Sequence, residues 1–172
     1  MTNKTTPRKA TRPAAASDAV KLLSDDHRQV HALFQKYKRL AEKHANGDER
    51  QPLAEQICLL LTVHATIEEE LFYPAARAAD VDTGLLDEAE VEHGTVNDLI
   101  AQIRAMGPDD ERYDAKLKVL GEYVDHHVKE EQDELFPRCA KSPLDLVELG
   151  ALLAARKLML MAEMSEGMEL VQ

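Results

Sequence analysis

Apolar residues recur at helical spacing in four long stretches between residues 17 and 140. The first starts from a cap at Ser17 or Asp18 and runs to about Ala45. It sets Val20, Leu23, Val30, Phe34 and Leu40 on one face, and Asn46-Gly47 stops it. The second opens with Pro52 in its first turn and continues as Ile57, Leu60, Leu61, Leu71, Phe72 and Ala75, with Pro74 kinking or ending it. The third carries Leu85, Leu86, Ala89, Val96, Ile100 and Ile103 up to Gly107-Pro108. The fourth runs from about Asp109 to Ala140 with Leu117, Leu120, Val124, Leu135 and Cys139. Beyond Ser142-Pro143, Leu144 to about Ser165 reads as a fifth, Leu/Met-rich helix. Its Met159, Met161, Met164 and Met168 suit a docking face for the bundle or for another subunit. The predicted fold is all-α: an antiparallel up-down four-helix bundle over 17–141 with an additional C-terminal helix over 142–172.

Polar residues interrupt these stripes, and they do so in a repeated order. His64-x-x-x-Glu68 lies inside the second stripe and is followed by Glu69, Glu70, Leu71, Phe72, Tyr73 and Pro74. The run returns 63 residues later as His127-x-x-x-Glu131, with Leu135, Phe136 and Pro137. A spacing of four puts each His and Glu one turn apart on one helix face. His27 and His93 lie on the first and third stripes, 66 residues apart, each preceded by an acid, Asp26 or Glu92. The duplication is therefore a helix with one seam His followed by a helix with His-x-x-x-Glu.

A carboxylate on a core-facing stripe is costly unless something pairs with it. His27, His64, Glu68, His93, His127 and Glu131 are expected to converge at one level of the bundle. Four imidazoles and two carboxylates suit two metal ions, with both Glu bridging and two His on each ion. Iron fits first, with manganese or zinc as alternatives, and the thiolates of a structural zinc site are lacking. His31, one turn beyond His27, reads as a core or supporting His, with a fifth imidazole ligand as the alternative. Tyr123, one turn before His127, reads as a packed bundle tyrosine. His44 belongs to a helix end, and His126 groups with Glu122 and Glu130 on a solvated face.

Composition narrows the context. A chain of 172 residues is one domain, and the net charge of −11 argues against nucleic acid as the main partner. Residues 1–16 carry Lys4, Arg8, Lys9 and Arg12, two prolines and no acid, and are expected to be a disordered basic tail. Cys58 and Cys139, distant in sequence, read as two reduced thiols. No apolar run approaches the roughly 20 residues of a spanning helix, and no signal-peptide core opens the chain. The expected location is cytoplasmic, with no membrane partner.

Asp26-His27-Arg28, His64-x-x-x-Glu68-Glu69-x-Leu71-Phe72-x-Pro74, Glu92-His93 and His127-x-x-x-Glu131 with Leu135-Phe136-Pro137 resemble the haemerythrin-like (HHE cation-binding) domains over roughly residues 18–140. The resemblance implies a four-helix bundle around an oxo- or hydroxo-bridged non-haem di-iron centre. Such domains bind dioxygen, sense oxygen, nitric oxide or iron, or handle peroxide and damaged iron–sulfur centres. The oxygen carriers of the family have His-x-x-x-His on the third helix and Asp on the fourth. Here those places hold Asn97 and Glu131, which resembles the two-carboxylate branch rather than the classical oxygen carriers. The expected function is that of a di-iron protein binding dioxygen or a related small diatomic for sensing, storage or scavenging. The alternatives are a di-iron oxidoreductase consuming peroxide or nitric oxide, and a metal-responsive interaction module. In that last case the fifth helix or the basic tail would contact a protein partner or a second copy.

Overall fold

The structure, a computed structural model, describes residues 18–169, so the expected basic tail lies outside the described residues. Within them the ordered elements are helical and form five rods. The first is α1 (Ala19–Glu42). The second runs as α2 (Gly47–Ile67), a π-helical turn (Glu68–Phe72) and α3 (Tyr73–Ala78). The third is α4 (Thr83–Arg104). The fourth repeats the second as α5 (Tyr113–Glu130), a π-helical turn (Glu131–Leu135) and α6 (Phe136–Lys141). The last is α7 (Leu146–Glu169). Among the described residues no helix is long and apolar enough to cross a membrane.

Several boundaries differ from the sequence expectation, each for a local reason. Asp18 caps α1 by accepting the Lys21 N–H at 2.8 Å. The helix ends at Glu42, where His44 takes a left-handed φ of 53°. The His44 and Ala45 N–H groups then bond back to Ala41 and Leu40, closing a Schellman motif. Asn46-Gly47 is thus not a stop but the start of α2, with the Asn46 side chain accepting the Glu49 N–H. Pro52 consequently falls inside the helix rather than in its first turn. The fourth rod begins at Tyr113, after a turn in which Asp110 accepts the Arg112 N–H. Leu146 opens α7 because Asp145 accepts the Val147 and Glu148 N–H groups.

Pro74 neither ends nor sharply stops its rod; α3 carries on to Ala78. Its missing N–H would have bonded the Glu70 carbonyl, and the ring crowds that carbonyl. The chain answers by widening the turn before it, so that the Tyr73 N–H bonds the Glu68 carbonyl five residues back. Pro137 acts in the same way, and the Phe136 N–H reaches the Glu131 carbonyl.

α1, α2, α4 and α5 close a four-helix bundle, α1 packing on α2 and α5 while α4 packs on α5 and α2. Its apolar interior falls into two clusters. One holds Leu23, Ile67, Phe72, Leu86, Leu135 and Phe136, and the other Val30, Ile57, Leu61, Val96, Leu117 and Leu120. Among the described residues seven buried polar residues interrupt the core, and six of them are the His and Glu of the stripes. Each lies on its helix between a residue of one cluster and a residue of the other. The fifth rod lies on α1, α2 and the first π turn. Leu149, Leu153 and Leu160 of α7 are buried in the first cluster. Arg156 forks onto the Glu70 carboxylate at 2.6 and 3.0 Å, and Lys157 donates to Asp26. Met161 and Met164 pack inward, whereas Leu158 and Met159 face out.

Candidate metal centre

The structure brings all six stripe residues to one place. Imidazole Nε2 atoms pair across helices, His27 with His64 at 2.9 Å and His93 with His127 at 3.1 Å. Glu68 joins the pairs, its Oε2 lying 3.3 Å from His64 and 3.4 Å from His93. Glu131 does the same from the other rod, at 3.2 Å from His27 and 3.5 Å from His127. The result is two positions, each faced by two imidazole nitrogens, with a carboxylate shared between them from either side. The ligand-type atoms of His27, His64, Glu68 and Glu131 form one compact group, and those of Glu68, His93 and His127 another.

The outward nitrogens explain why the inward ones are lone-pair donors. Glu69 lies 2.9 Å from His93 Nδ1 and Glu92 lies 2.7 Å from His127 Nδ1. A carboxylate can only accept, so each Nδ1 carries the proton and each Nε2 is left free to ligate. In the first half Asp26 repeats this more weakly, 3.5 Å from His64 Nδ1, whereas His27 Nδ1 faces the Gln132 amide nitrogen, a donor, at 3.4 Å.

Charge at the centre is poorly compensated by protein alone. Both Glu68 oxygens and Glu131 Oε2 are buried without a hydrogen-bond donor. Burial, reinforced by the neighbouring Glu131 carboxylate, pushes the Glu68 carboxyl well above the usual carboxylate range. For Glu131 burial acts in the same direction, but His127, His27 and His64 outweigh it and hold the group down. Burial lowers the His64 pKa to about 4 although Asp26 opposes the shift. Two carboxylates that cannot both be ionised, set among four imidazoles, are the donor set of a multivalent cation.

Above the imidazoles a cavity of about 20 Å³ is walled by Val30, Leu61, Val96 and Val124, with room for about one water-sized molecule. Below them lie aromatic rings. Phe136 stacks on His27 with centroids 5.8 Å apart, and Tyr73 stacks on His93 at 5.6 Å. Tyr73 also donates its hydroxyl to Glu131 Oε1 at 3.0 Å.

Two of the weighed residues stand outside the site. His31 is exposed and faces the exposed Asp125 at 3.2 Å. It is neither a ligand nor a core His, because the buried stripe of α1 steps from His27 to Val30 and turns the next residue outward. Tyr123 is 45% exposed rather than packed, for the same one-residue reason beside Val124. The tyrosine that matters, Tyr73, escaped the periodicity. Nine residues of α-helix would carry it about 180° around from His64. The π turn takes back about 100° of that. Of the expected stripe Phe72 is buried while Leu71 and Ala75 are only half-buried, and Tyr73 and Ala76 are buried in addition. A proline at the same distance from both His-x-x-x-Glu pairs was the available signal.

A family model described as the Hemerythrin HHE cation binding domain matches residues 18–139. The chain is 29% identical over 125 residues to an uncharacterised protein of Mycobacterium tuberculosis, covering 69% of this chain and 74% of that one. It is 30% identical over 112 residues to a DNA nickase of Nostoc sp., covering 64% of this chain but only 30% of the nickase. A crystal structure of a haemerythrin HHE cation-binding domain-containing protein from Mycobacterium kansasii superposes with a TM-score of 0.70. It is 26% identical, with 86% of this chain and 89% of that chain covered.

Proposed function

The chain belongs to the haemerythrin HHE cation-binding family, and we propose that it is a non-haem di-iron protein that binds dioxygen or a related small diatomic. The observation that carries this reading is the pair Glu68 and Glu131, buried at 0% and 2% exposure, in which both Glu68 oxygens and Glu131 Oε2 meet no donor. Leaving such groups uncompensated costs several kcal/mol. Two cations between them, each faced by two Nε2 atoms, remove that cost. Nitrogen and carboxylate donors without thiolate suit iron.

His27 and His64 would hold one ion and His93 and His127 the other, with Glu68 and Glu131 shared. Bound iron supplies the electrons that a small redox-active ligand needs. The protein's own part is selection and orientation. Glu69, Glu92 and Asp26 keep the imidazoles in the ligating tautomer. The valine and leucine wall leaves space for about one small molecule and offers it no hydrogen bond, which favours a weakly hydrated diatomic over anions or larger metabolites. Nucleic acid lies outside the proposal, since a net charge of −11 repels a phosphate backbone.

One observation favours the oxidoreductase reading. Tyr73 places a phenolic O–H at the centre, and burial together with Glu68 and Glu131 pushes its pKa well up, so the proton stays on oxygen at neutral pH. A retained proton beside a reducible ligand suits consumption of peroxide or nitric oxide.

The test is metal analysis of protein purified without added metal, followed by exposure of the reduced protein to dioxygen. Two irons per chain and a visible absorption change that reverses under argon are expected. Zinc alone would overturn every redox reading, and gas evolution from peroxide at substoichiometric protein would replace the binding role by the enzymatic one.

A further inference from the structure

We infer that Glu92, His126 and Glu130 form a separate divalent-cation site on the surface, at the mouth of the path by which ions reach the buried centre. His126 Nε2 lies 3.5 Å from Glu92 Oε1 and 3.5 Å from Glu130 Oε1, and the three offer ligand-type atoms in one cluster. Those separations are long for N–H···O bonds, whose usual length is about 2.9 Å. They are close to the spacing of about 3.4 Å between ligands that share a cation at about 2.1 Å in tetrahedral geometry.

A second observation connects the cluster to the interior. A narrow cleft bounded by Leu85, Ala89 and Leu135 is lined on its outer side by Glu92 and Glu130 and on its inner side by His127 and Glu131. Side-chain exposure falls steadily along this line: 60% at His126, 32% at Glu130, 16% at Glu92, 7% at His127 and 2% at Glu131. Glu92 belongs to both ends, one oxygen towards His126 and the other 2.7 Å from His127 Nδ1. The inner end includes Glu131, whose Oε2 is buried without a donor.

The duplication supplies a built-in comparison. Subtracting the repeat of 63 residues places Val63 where His126 stands and Ile67 where Glu130 stands. Both are buried, in the cluster that α7 covers with Leu149, Leu153 and Leu160. The acid at the Glu92 position is Asp26, and Lys157 of α7 neutralises it. One half is therefore closed by apolar residues and a cation of the protein's own. The other half keeps two carboxylates and an imidazole in water. Entry is one-sided.

The role of feeding the centre rests on the proposed function, while cation binding by the cluster does not. The experiment uses the full chain with its buried centre filled with iron, titrated with Mn²⁺ and followed by the loss of the free-ion EPR signal. One further Mn²⁺ per chain is expected, bound about tenfold or more weakly in a His126→Ala, Glu130→Gln double variant, with the iron content unchanged. Anaerobic loading of the metal-free chain with Fe²⁺ should be several-fold slower in the variant. No third ion in the parent protein, or a third ion that the variant holds equally well, overturns the site. Equal loading rates overturn its feeding role. A metal-free chain that takes up a single Mn²⁺, lost in the variant, and no iron would sink the buried centre and with it the feeding role, leaving the surface site standing.

Discussion

Tyr73 and Phe136 occupy equivalent places in the two halves, 63 residues apart, each with its ring on a seam imidazole, but only Tyr73 carries a hydroxyl to the centre. The same asymmetry appears one turn earlier, where Glu69 faces His93 and Gln132 faces His27. The half around His93 and His127 is thus the richer in hydrogen-bonding oxygen. Replacing Tyr73 by Phe makes the halves alike and leaves Glu131 Oε1 without its donor. A hydrogen bond to a charged group contributes about 1.5–3 kcal/mol. The metal-free Tyr73→Phe protein should lose stability of that order in urea melts. Metal content should stay at the parent value, since no imidazole or bridging carboxylate is touched.

Glu68 sets stability against metal binding. Its carboxyl is pushed well above the ordinary 4.5 by burial and by Glu131. A raised carboxylate pKa means that the folded metal-free protein holds a proton the unfolded chain has released. This part of its stability is full below about pH 4.5 and is lost as pH rises towards the folded pKa. Glu68→Gln removes that penalty, because an amide needs no proton. The variant should raise the melting temperature of the metal-free protein at pH 7, by a free energy of about 1–4 kcal/mol. With iron present the order should reverse, the parent gaining far more from the metal than the variant. Thermal melts with metal and with chelator read both effects, and parallel shifts in the two conditions would refute the bridging role.

Much of this architecture is visible in side-chain periodicity, because the core of each rod is a stripe and each stripe is broken by a His or a His-x-x-x-Glu pair. What periodicity cannot carry is backbone phase. It assumes 3.6 residues per turn, so the π turns at Glu68 and Glu131 move every later position by about one residue. That shift hid Tyr73 and favoured Leu71. His31 and Tyr123 failed on the same scale, since one residue is about 100° of helix. Lys157 and Asp26 meet across 131 positions of sequence, and nothing in the spacing of an exposed-looking lysine identifies its partner.

That contact ties α7 to the centre. Lys157 donates to Asp26, and Asp26 faces His64 Nδ1. Burial would raise the Asp26 pKa, but the facing His64 imidazole and the hydrogen bond from Lys157 keep it below the ordinary value. In Lys157→Met the aliphatic stem still covers α1 while the largely buried carboxylate loses its cation. A destabilisation of about 1–3 kcal/mol is expected. Proteolysis should cut α7 before the bundle, because the helix then keeps the Arg156–Glu70 pair but loses its charged contact with Asp26. Equal protection of α7 in parent and variant would show that the lysine holds nothing in place.

The two thiols give an alkaline signature. Burial pushes Cys58 from 9.0 to about 11, and Cys139 shifts similarly. The unfolded chain therefore releases these protons first, and stability falls as pH rises from about 9 towards 11. Cys58 alone contributes roughly 2–3 kcal/mol across that window. Iodoacetamide at pH 8 should label neither cysteine in the folded protein and both in urea. Cys58→Ala should flatten part of the alkaline decline, at the expense of a small cavity beside Ile103 and Tyr113 of its cluster.

His44 offers a change with no connection to the metal. It closes α1 from a left-handed conformation, φ 53°, and its side chain is exposed. A residue with a Cβ is strained there, whereas glycine adopts this conformation freely. The bonds that form the cap, from the His44 and Ala45 N–H groups to Ala41 and Leu40, involve backbone only and survive the substitution. His44→Gly should therefore stabilise the protein by about 0.5–1 kcal/mol in spite of glycine's greater freedom in the unfolded chain. Asp80 closes α3 in the same way at φ 58°, with its N–H bonded to Arg77 and that of Val81 to Ala76. Asp80→Gly should act with the same sign, and the two sites are separate enough in the fold for the gains to add. Urea midpoints of the single and double variants measure this, and a loss of stability at either position would mean that the histidine or aspartate side chain contributes more to the cap than the backbone strain takes away.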